Sequence, residues 1–435
     1  MSDRVSILIR SSARAELADA LTCLVAQTHR NLDVVVVNVT GRPHPPLPAP
    51  AAQLAVNFVD SERQLPRPQA ANAAIEAATG DYALFLDDDD VLEPEHVALC
   101  LAAARSHPGT IPFSGAQTCD EGELHTIWPA LGFGRLEIME KIRMLICAPL
   151  LPRSVLAEGF RFDSDLPIFE DWDFWIRLSQ RMRFRPLANN TAVCRLGIGN
   201  SGTGVGANFD LERTTRESRP FHDKWEGERL ALVAEFEQLG VDADTAVANS
   251  DWKRAEDLSW QAQELKIWDA PTLTRLSRIF EAKGDRERSR RFAKAAERAR
   301  MMAPVPLSLD ALTRLYAHLR EGNALAMAGE PARAEAEFKV ALMLRERDQT
   351  ALNGLANLRI AQGRFAEAES YLQQATMGGG RIYPPLMLKR GGLLERLGRR
   401  KEARAIYRHL VNLVPRYAAA RGRLQALDAI EAATS

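Results

Sequence analysis

GDYALFLDDDDVLEP, residues 80–94, decides how the first half of this chain folds. Tyr82–Leu86 is an unbroken apolar run without polar alternation. Such a run reads as a strand buried on both faces of a parallel sheet. It leads directly into four aspartates, Asp87–Asp90. A rigid strand end carrying clustered carboxylates offers hard oxygen donors to Mg²⁺ or Mn²⁺. Without a cation, like charges this close repel. In isolation such a run would be a solvated acidic turn with an aspartate as helix N-cap; its place at a buried strand end favours the cation.

Upstream of this stretch, strand and helix patterns alternate. Val5–Ile9 and Asp33–Val37 are further buried-strand runs, and Ala15–Ala26 places Leu17, Leu21, Leu24 and Val25 on one helical face. Ala70–Ala78 is Ala-rich and reads as a helix, with Gly80 as its C-terminal cap. Arg42–Pro50, RPHPPLPAP, has five prolines and must be an exposed loop. Strand, helix, strand, helix, strand predicts a doubly wound α/β layer, whose ligands bind beyond the carboxyl ends of the strands. The four aspartates stand at that position.

A second carboxylate centre lies downstream. In EDWDFWIRL, residues 170–178, Trp172, Trp175 and Ile176 have helical spacing. Glu170 and Asp171 then stand at the helix start, where the dipole favours ionised carboxylates. Plain helix capping would account for them. So would a general base that takes a proton from an attacking hydroxyl. Trp172 and Trp175 either face a ligand or fill the core.

The second half changes character. Gly329, Gly363 and Gly398 are 34 and 35 residues apart, and each is followed five residues later by Ala334, Ala368 and Ala403. Phe338, Leu372 and Tyr407 follow at equal offsets. Each glycine reads as the turn between two antiparallel helices, and each alanine as a close helix–helix contact. Ser250 and Gly284 mark weaker units, and Met301–Leu307, MMAPVPL, is expected to loop out. Residues 251–435 hold 33 basic and 22 acidic side chains, a net of +11, against −12 for residues 1–250. Opposite signs in the two halves suit two domains.

The 435 residues and their 46% hydrophobic and 26% charged content exclude a disordered, collagen-like or disulfide-scaffold chain. The five cysteines, Cys23, Cys100, Cys119, Cys147 and Cys194, include no CxxC pair, which fits a reducing cytoplasm and argues against a zinc site. No segment approaches the ~18 apolar residues of a membrane span, and the start, MSDRVSILIR, does not read as a signal peptide. Nucleic acid is not an expected partner, because the basic half is not interleaved with many aromatics.

With these motifs in place, the first ~215 residues resemble inverting family 2 glycosyltransferases of the GT-A fold. The resemblance runs through Gln27, Thr28, Asn31 and Asp33 in LVAQTHRNLDVVVV, and through Ala71, Asn72, Ala77, Gly80, Asp81, Tyr82, Phe85 and Leu86 before the aspartates. It implies that the metal motif falls on Asp87, Asp88 and Asp89, with Asp89 the direct metal ligand and Asp87 nearer the nucleotide. It implies Asp171 as catalytic base, supported by Glu170, and Trp172 and Trp175 on the acceptor side. Asn38, Asn72, Asp87, Asp88 and Arg195 are the expected nucleotide-sugar contacts. The second half resembles tetratricopeptide repeats. The expected organisation is a transferase domain over 1–215, a helical connector over 216–247 and helical repeats over 248–430.

The sequence also departs from the family. VNVTGR puts Asn38 where an aspartate is usual, Arg10 stands where proline is common, and Val193–Gly204 has no histidine. Asn200, Ser201 and Thr203 there read either as a polar lid over the diphosphate or as a simple surface loop. The expected activity is metal-dependent, inverting transfer of a sugar from a nucleotide-sugar donor to a glycan, lipid-linked or protein acceptor, with a protein partner or the acceptor on the repeats. The rival readings are a repeat scaffold carrying an inactive transferase domain, and a nucleotidyltransferase. The latter lacks the Gly- and Lys-rich phosphate loop it would need at Ser11–Ala20.

Overall fold

The computed structural model describes residues 3–120, 123–196, 210–302, 308–377, 380–415 and 417–434. In chain order the first elements are β1 (Val5–Ser11), α1 (Leu17–Val25), β2 (Leu32–Asn38), β3 (Val56–Val59), α2 (Arg67–Ala77), β4 (Tyr82–Asp87) and β5 (Val91–Leu92). Next come α3 (His96–Ser106), β6 (Thr110–Asp120), β7 (Glu123–Trp128), α4 (Arg135–Glu140), β8 (Leu151–Pro152), α5 (Arg153–Ala157), α6 (Glu170–Ser179) and β9 (Arg183–Leu196). Helices follow: α7 (Leu211–Ala248), α8 (Trp252–Leu265), α9 (Ala270–Ala282) and α10 (Arg286–Met302). The last are α11 (Leu309–Met327), α12 (Pro331–Leu344), α13 (Gln349–Ala361), α14 (Phe365–Met377), α15 (Pro384–Arg396), α16 (Arg400–Leu413) and α17 (Ala418–Thr434).

The three apolar runs form the middle of a sheet of order β3-β2-β1-β4-β8. β1 pairs in parallel with β2 and β4, β2 pairs in parallel with β3, and only β8 is antiparallel. β1 and β2 are buried along their whole length, which is why they read as continuous apolar runs. β3 escapes the sequence pattern because VNFV is only partly buried at the sheet edge. A second sheet pairs β9 in parallel with β6 and antiparallel with β5.

One expectation is corrected here. Gly80 does not cap α2: Ala78 takes that place in extended conformation. Gly80 is small for another reason, because a Cβ there would lie 2.7 Å from Arg4 O and from Ser6 N on the passing β1 backbone.

Two compact units emerge, residues 1–123 with 128–299, and residues 124–127 with 300–435. The composition turns helical at Leu211, but the helices up to residue 299 count with the α/β layers. The first unit holds a large core built on β1, β2, β4, α2, α3 and α6, with smaller separate clusters among α7, α8, α9 and α10. The second is a row of helix pairs with small separate clusters, around Phe338, around Leu372 and around Tyr407.

The glycine period marks the turns of those pairs. Gly329, Gly363 and Gly398 all have φ near +75°, at 76°, 72° and 76°. After each turn the next N–H reaches back over it: Glu330 to Leu325 O, Arg364 to Arg359 O and Arg399 to Leu394 O, at 2.8–2.9 Å. This six-residue closure satisfies carbonyls that the helix end leaves open. The two weaker candidates adopt the same turn in the first unit, Gly284 at φ 79° and Ser250 at φ 58°. Of Met301–Leu307, residues 303–307 lie outside the described residues, and Met301 and Met302 end α10.

Candidate functional site

Strand register builds the site. Arg10, at the end of β1, is the direct neighbour of Asp87, at the end of β4, and Ser11 is opposite Asn38. The acidic turn, the start of α2 and the start of α6 converge on this edge. Arg10 donates from Nε and Nη2 to Asp87 at 2.6–2.9 Å and from Nη1 to Glu170 Oε1 at 3.1 Å. Arg67, first residue of α2, donates from Nε to Glu170 Oε1 at 2.7 Å and lies 3.7 Å from Asp87. Arg14 Nη1 reaches Asp89 at 2.5 Å and Asp88 at 3.2 Å.

The four aspartates are not equivalent. Asp87, Asp89 and Asp90 each bring a carboxylate oxygen within 4.8 Å of the other two. Asp88 turns to the loop after β1, accepting from Ser12 N at 2.6 Å, and is 2% exposed. Burial would raise the Asp87 carboxyl, but Arg10 and Arg67 hold it below the usual range. Burial outweighs Arg14 and pushes Asp88 up to about 6. Asp89 is raised by burial and by Asp87, and Asp90 is raised strongly by burial, Asp87 and Asp89. A divalent cation relieves this mutual repulsion, and three hard oxygen donors on one turn suit Mn²⁺ or Mg²⁺. The residues therefore fit such an ion, with Asp90 added to the expected Asp87 and Asp89.

α6 begins as the sequence predicts, with Glu170, Asp171 and Asp173 in its first turn. Its N-cap, Phe169, is in left-handed conformation at φ 61°, and Ala13, between Ser12 and Arg14, is at φ 59°. Backbone strain in non-glycine residues thus flanks the site on both sides. Glu170 is 2% exposed, and its Oε1 accepts from both Arg10 and Arg67, which hold it ionised against its burial. Asp171 is half-buried, and its Oδ1 accepts from Trp172 N at 2.8 Å. Burial, then the charge of Glu170, pushes Asp171 up to about 6.

Several expected contacts are otherwise employed. Trp175 is 1% exposed inside the Phe160–Phe174–Phe184 aromatic cluster, so no sugar reaches it. Trp172 is 9% exposed, packs on Phe169 and Phe221, and donates its Nε1 to Ile138 O. Both indoles fill the core, because a helix start that faces the site must turn its opposite side inward. Asn72 closes a two-way pair with the Phe162 backbone at 2.8 and 3.0 Å. Asn38 is fully buried and ties the turn after β2, donating to Arg42 O and Asp60 and accepting from Thr40. Arg195 lies beside the acidic turn, with its N–H on Asp90 at 3.0 Å and its Nε on Asp89 O at 2.6 Å. Asn200, Ser201 and Thr203 lie outside the described residues.

Sequence reading missed Arg10, Arg14 and Arg67 as site residues. The signal was present for Arg10, which broke the family pattern at the end of the first strand.

An acidic turn and a second carboxylate pair thus meet at the carboxyl edge of a doubly wound sheet, where such folds bind their ligands. Residues 8–152 match the family model for glycosyl transferase family 2. The amylovoran biosynthesis glycosyltransferase AmsB of Erwinia amylovora is 26% identical over 215 residues, covering 45% of this chain and 71% of the relative. The uncharacterized glycosyltransferase YwdF of Bacillus subtilis (strain 168) is 24% identical over 190 residues, covering 42% of this chain and 70% of the relative. Among solved structures, S. aureus TarS 1–349 in complex with UDP-GlcNAc aligns with a TM-score of 0.42 and 13% identity. That alignment covers 68% of this chain and 91% of the TarS fragment.

Proposed function

We propose that this chain is an inverting glycosyltransferase that moves a sugar from a nucleotide-sugar donor to the hydroxyl of a glycan, lipid-linked or protein acceptor. The observation that carries this reading is the meeting of Asp87 and Glu170 on one guanidinium, Arg10. It brings the acidic turn of the family-matched segment against the start of α6, where Asp171 stands. Asp171 is the base: its carboxylate takes the acceptor proton as the hydroxyl oxygen attacks the anomeric carbon. The bond from that carbon to the diphosphate oxygen breaks in the same displacement, and the diphosphate leaves with the electron pair. One displacement without a covalent intermediate inverts the centre. Mn²⁺ or Mg²⁺ on Asp87, Asp89 and Asp90 would supply charge neutralisation for the diphosphate. Arg14 and Arg195 add cationic side chains on the donor side.

The helical half is, in this proposal, a tetratricopeptide-like array over 248–430 that holds a protein partner or the acceptor. The similarity to AmsB, an amylovoran biosynthesis glycosyltransferase, supports polysaccharide synthesis as the setting. Free thiols at all five cysteines support a reducing cytoplasm. Among the described residues no helix is long and apolar enough to cross a membrane.

The test is thermal stability of the purified chain with Mn²⁺ and a panel of UDP-, GDP- and dTDP-sugars. A metal-dependent rise with one nucleotide is expected, lost in Asp89→Ala and kept in Asp171→Asn. No rise with any nucleotide at millimolar concentration overturns the reading in favour of an inactive domain on a helical scaffold.

A further inference from the structure

The start of α6 and the end of β4 are far apart in sequence, yet one side chain touches both. Arg10 is 6% exposed and spends its whole fork on two carboxylates: Nε and Nη2 on Asp87, Nη1 on Glu170. Arg67 closes the set from the other side, at 2.7 Å from Glu170 and 3.7 Å from Asp87. Two guanidiniums and two carboxylates make a neutral quartet. Asp171, the next residue in the chain, accepts from the Trp172 N–H. A buried ion network is a weak source of stability compared with apolar packing of the same volume. Its geometry, however, is rigid, because a planar fork fixes both partners at once.

We propose that Arg10 is a positioning residue that couples the metal-side carboxylate Asp87 to the start of α6. This rests on the transferase reading. Glu170 acts through Arg10: when its charge is present, Arg10 is shared, and Asp87 keeps more of its own charge for a cation. When the Glu170 charge is removed, Arg10 falls wholly to Asp87 and competes with the cation. Lysine cannot replace it, since one ammonium cannot hold two carboxylates in the fork geometry.

The experiment is a double-mutant cycle on the full chain, reading Mn²⁺ affinity by titration with Mn²⁺ alone. Glu170→Gln is expected to weaken Mn²⁺ binding at least threefold. In an Arg10→Gln or Arg10→Lys background the same change is expected to alter affinity by less than 1.5-fold. An equal effect of Glu170→Gln in both backgrounds, or none in the wild type, overturns the proposal. A parallel urea-unfolding cycle of Asp87→Asn against Glu170→Gln is expected to be non-additive with Arg10 present and additive in Arg10→Gln. Additivity with Arg10 present overturns the coupling. A wild-type chain that binds no Mn²⁺ overturns the metal reading instead, and the unfolding cycle still decides the role of Arg10.

Discussion

Asp171 and Glu170 are adjacent carboxylates with opposite environments, and in the proposed reaction that difference separates their roles. Glu170 is held ionised by two guanidiniums, whereas burial and its neighbour's charge push Asp171 up to about 6. A base must be ionised, so kcat/KM is expected to fall as pH drops below about 6, with a plateau above it. Asp171→Asn is expected to lower kcat by 10²-fold or more, on the order of general-base contributions, while the thermal shift with metal and nucleotide persists. Steady-state kinetics across pH 5–8 checks both, and a flat profile through this range removes Asp171 as the base. A different residue governs stability. His96 is fully buried against Thr191 Oγ1 at 2.8 Å, and burial depresses its ring to about 4. In the unfolded chain it titrates near 6.5, so below that pH the unfolded state binds the extra proton. Stability is then present above about 6.5 and is lost as pH falls toward 4, by at most about 1.4 kcal/mol per pH unit. Urea unfolding between pH 7 and 4.5 is expected to show this slope, and His96→Gln to flatten it.

Elements were legible where burial is one-sided or complete. β1, β2 and β4 read as apolar runs because both of their faces are covered, and the helix pairs read through their turns. β3 and the second sheet were not legible: VNFV is half exposed, and β9 alternates irregularly with most of its side chains outside the core. In the candidate site, the carboxylates were legible because their pattern is local. The arginines were not, because Arg10, Arg14 and Arg67 acquire meaning only from the pairing that sets them opposite Asp87, Asp89 and Glu170. The turns give element-scale predictions of both signs. Ser250 occupies at φ 58° the place that Gly284, Gly329, Gly363 and Gly398 fill elsewhere. A left-handed L-residue costs roughly 1 kcal/mol, so Ser250→Gly is expected to raise stability by up to that amount. Gly391 is the opposite case. It is helical, where alanine is ordinarily favoured by about 1 kcal/mol. A Cβ there would meet the buried Tyr407 ring at 2.4 Å. Overpacking of this kind costs about 1–3 kcal/mol, so Gly391→Ala is expected to destabilise despite its helix propensity. Urea midpoints of the two variants against wild type check both signs.

The whole molecule joins two kinds of stability. The first unit is dominated by the large core of its α/β layers, so those layers are expected to unfold as a block. The second has a row of small clusters, each shared by neighbouring helices, and its stability is a sum of such local terms. All the carboxylates and guanidiniums of the candidate site, from Arg10 to Arg195, belong to the first unit. A ligand that binds only the folded state raises the transition of the unit that holds its site. Scanning calorimetry is therefore expected to show two transitions, of which Mn²⁺ with the matching nucleoside diphosphate raises one. Gly391→Ala, in the second unit, is expected to lower the other and leave the ligand-responsive one in place. If one variant and one ligand moved a single shared transition together, the units would fold as one cooperative body, and the helical half would be part of the transferase's own stability. If they move separate transitions, the second unit keeps an independent fold, as the part of an array that carries a partner or acceptor requires.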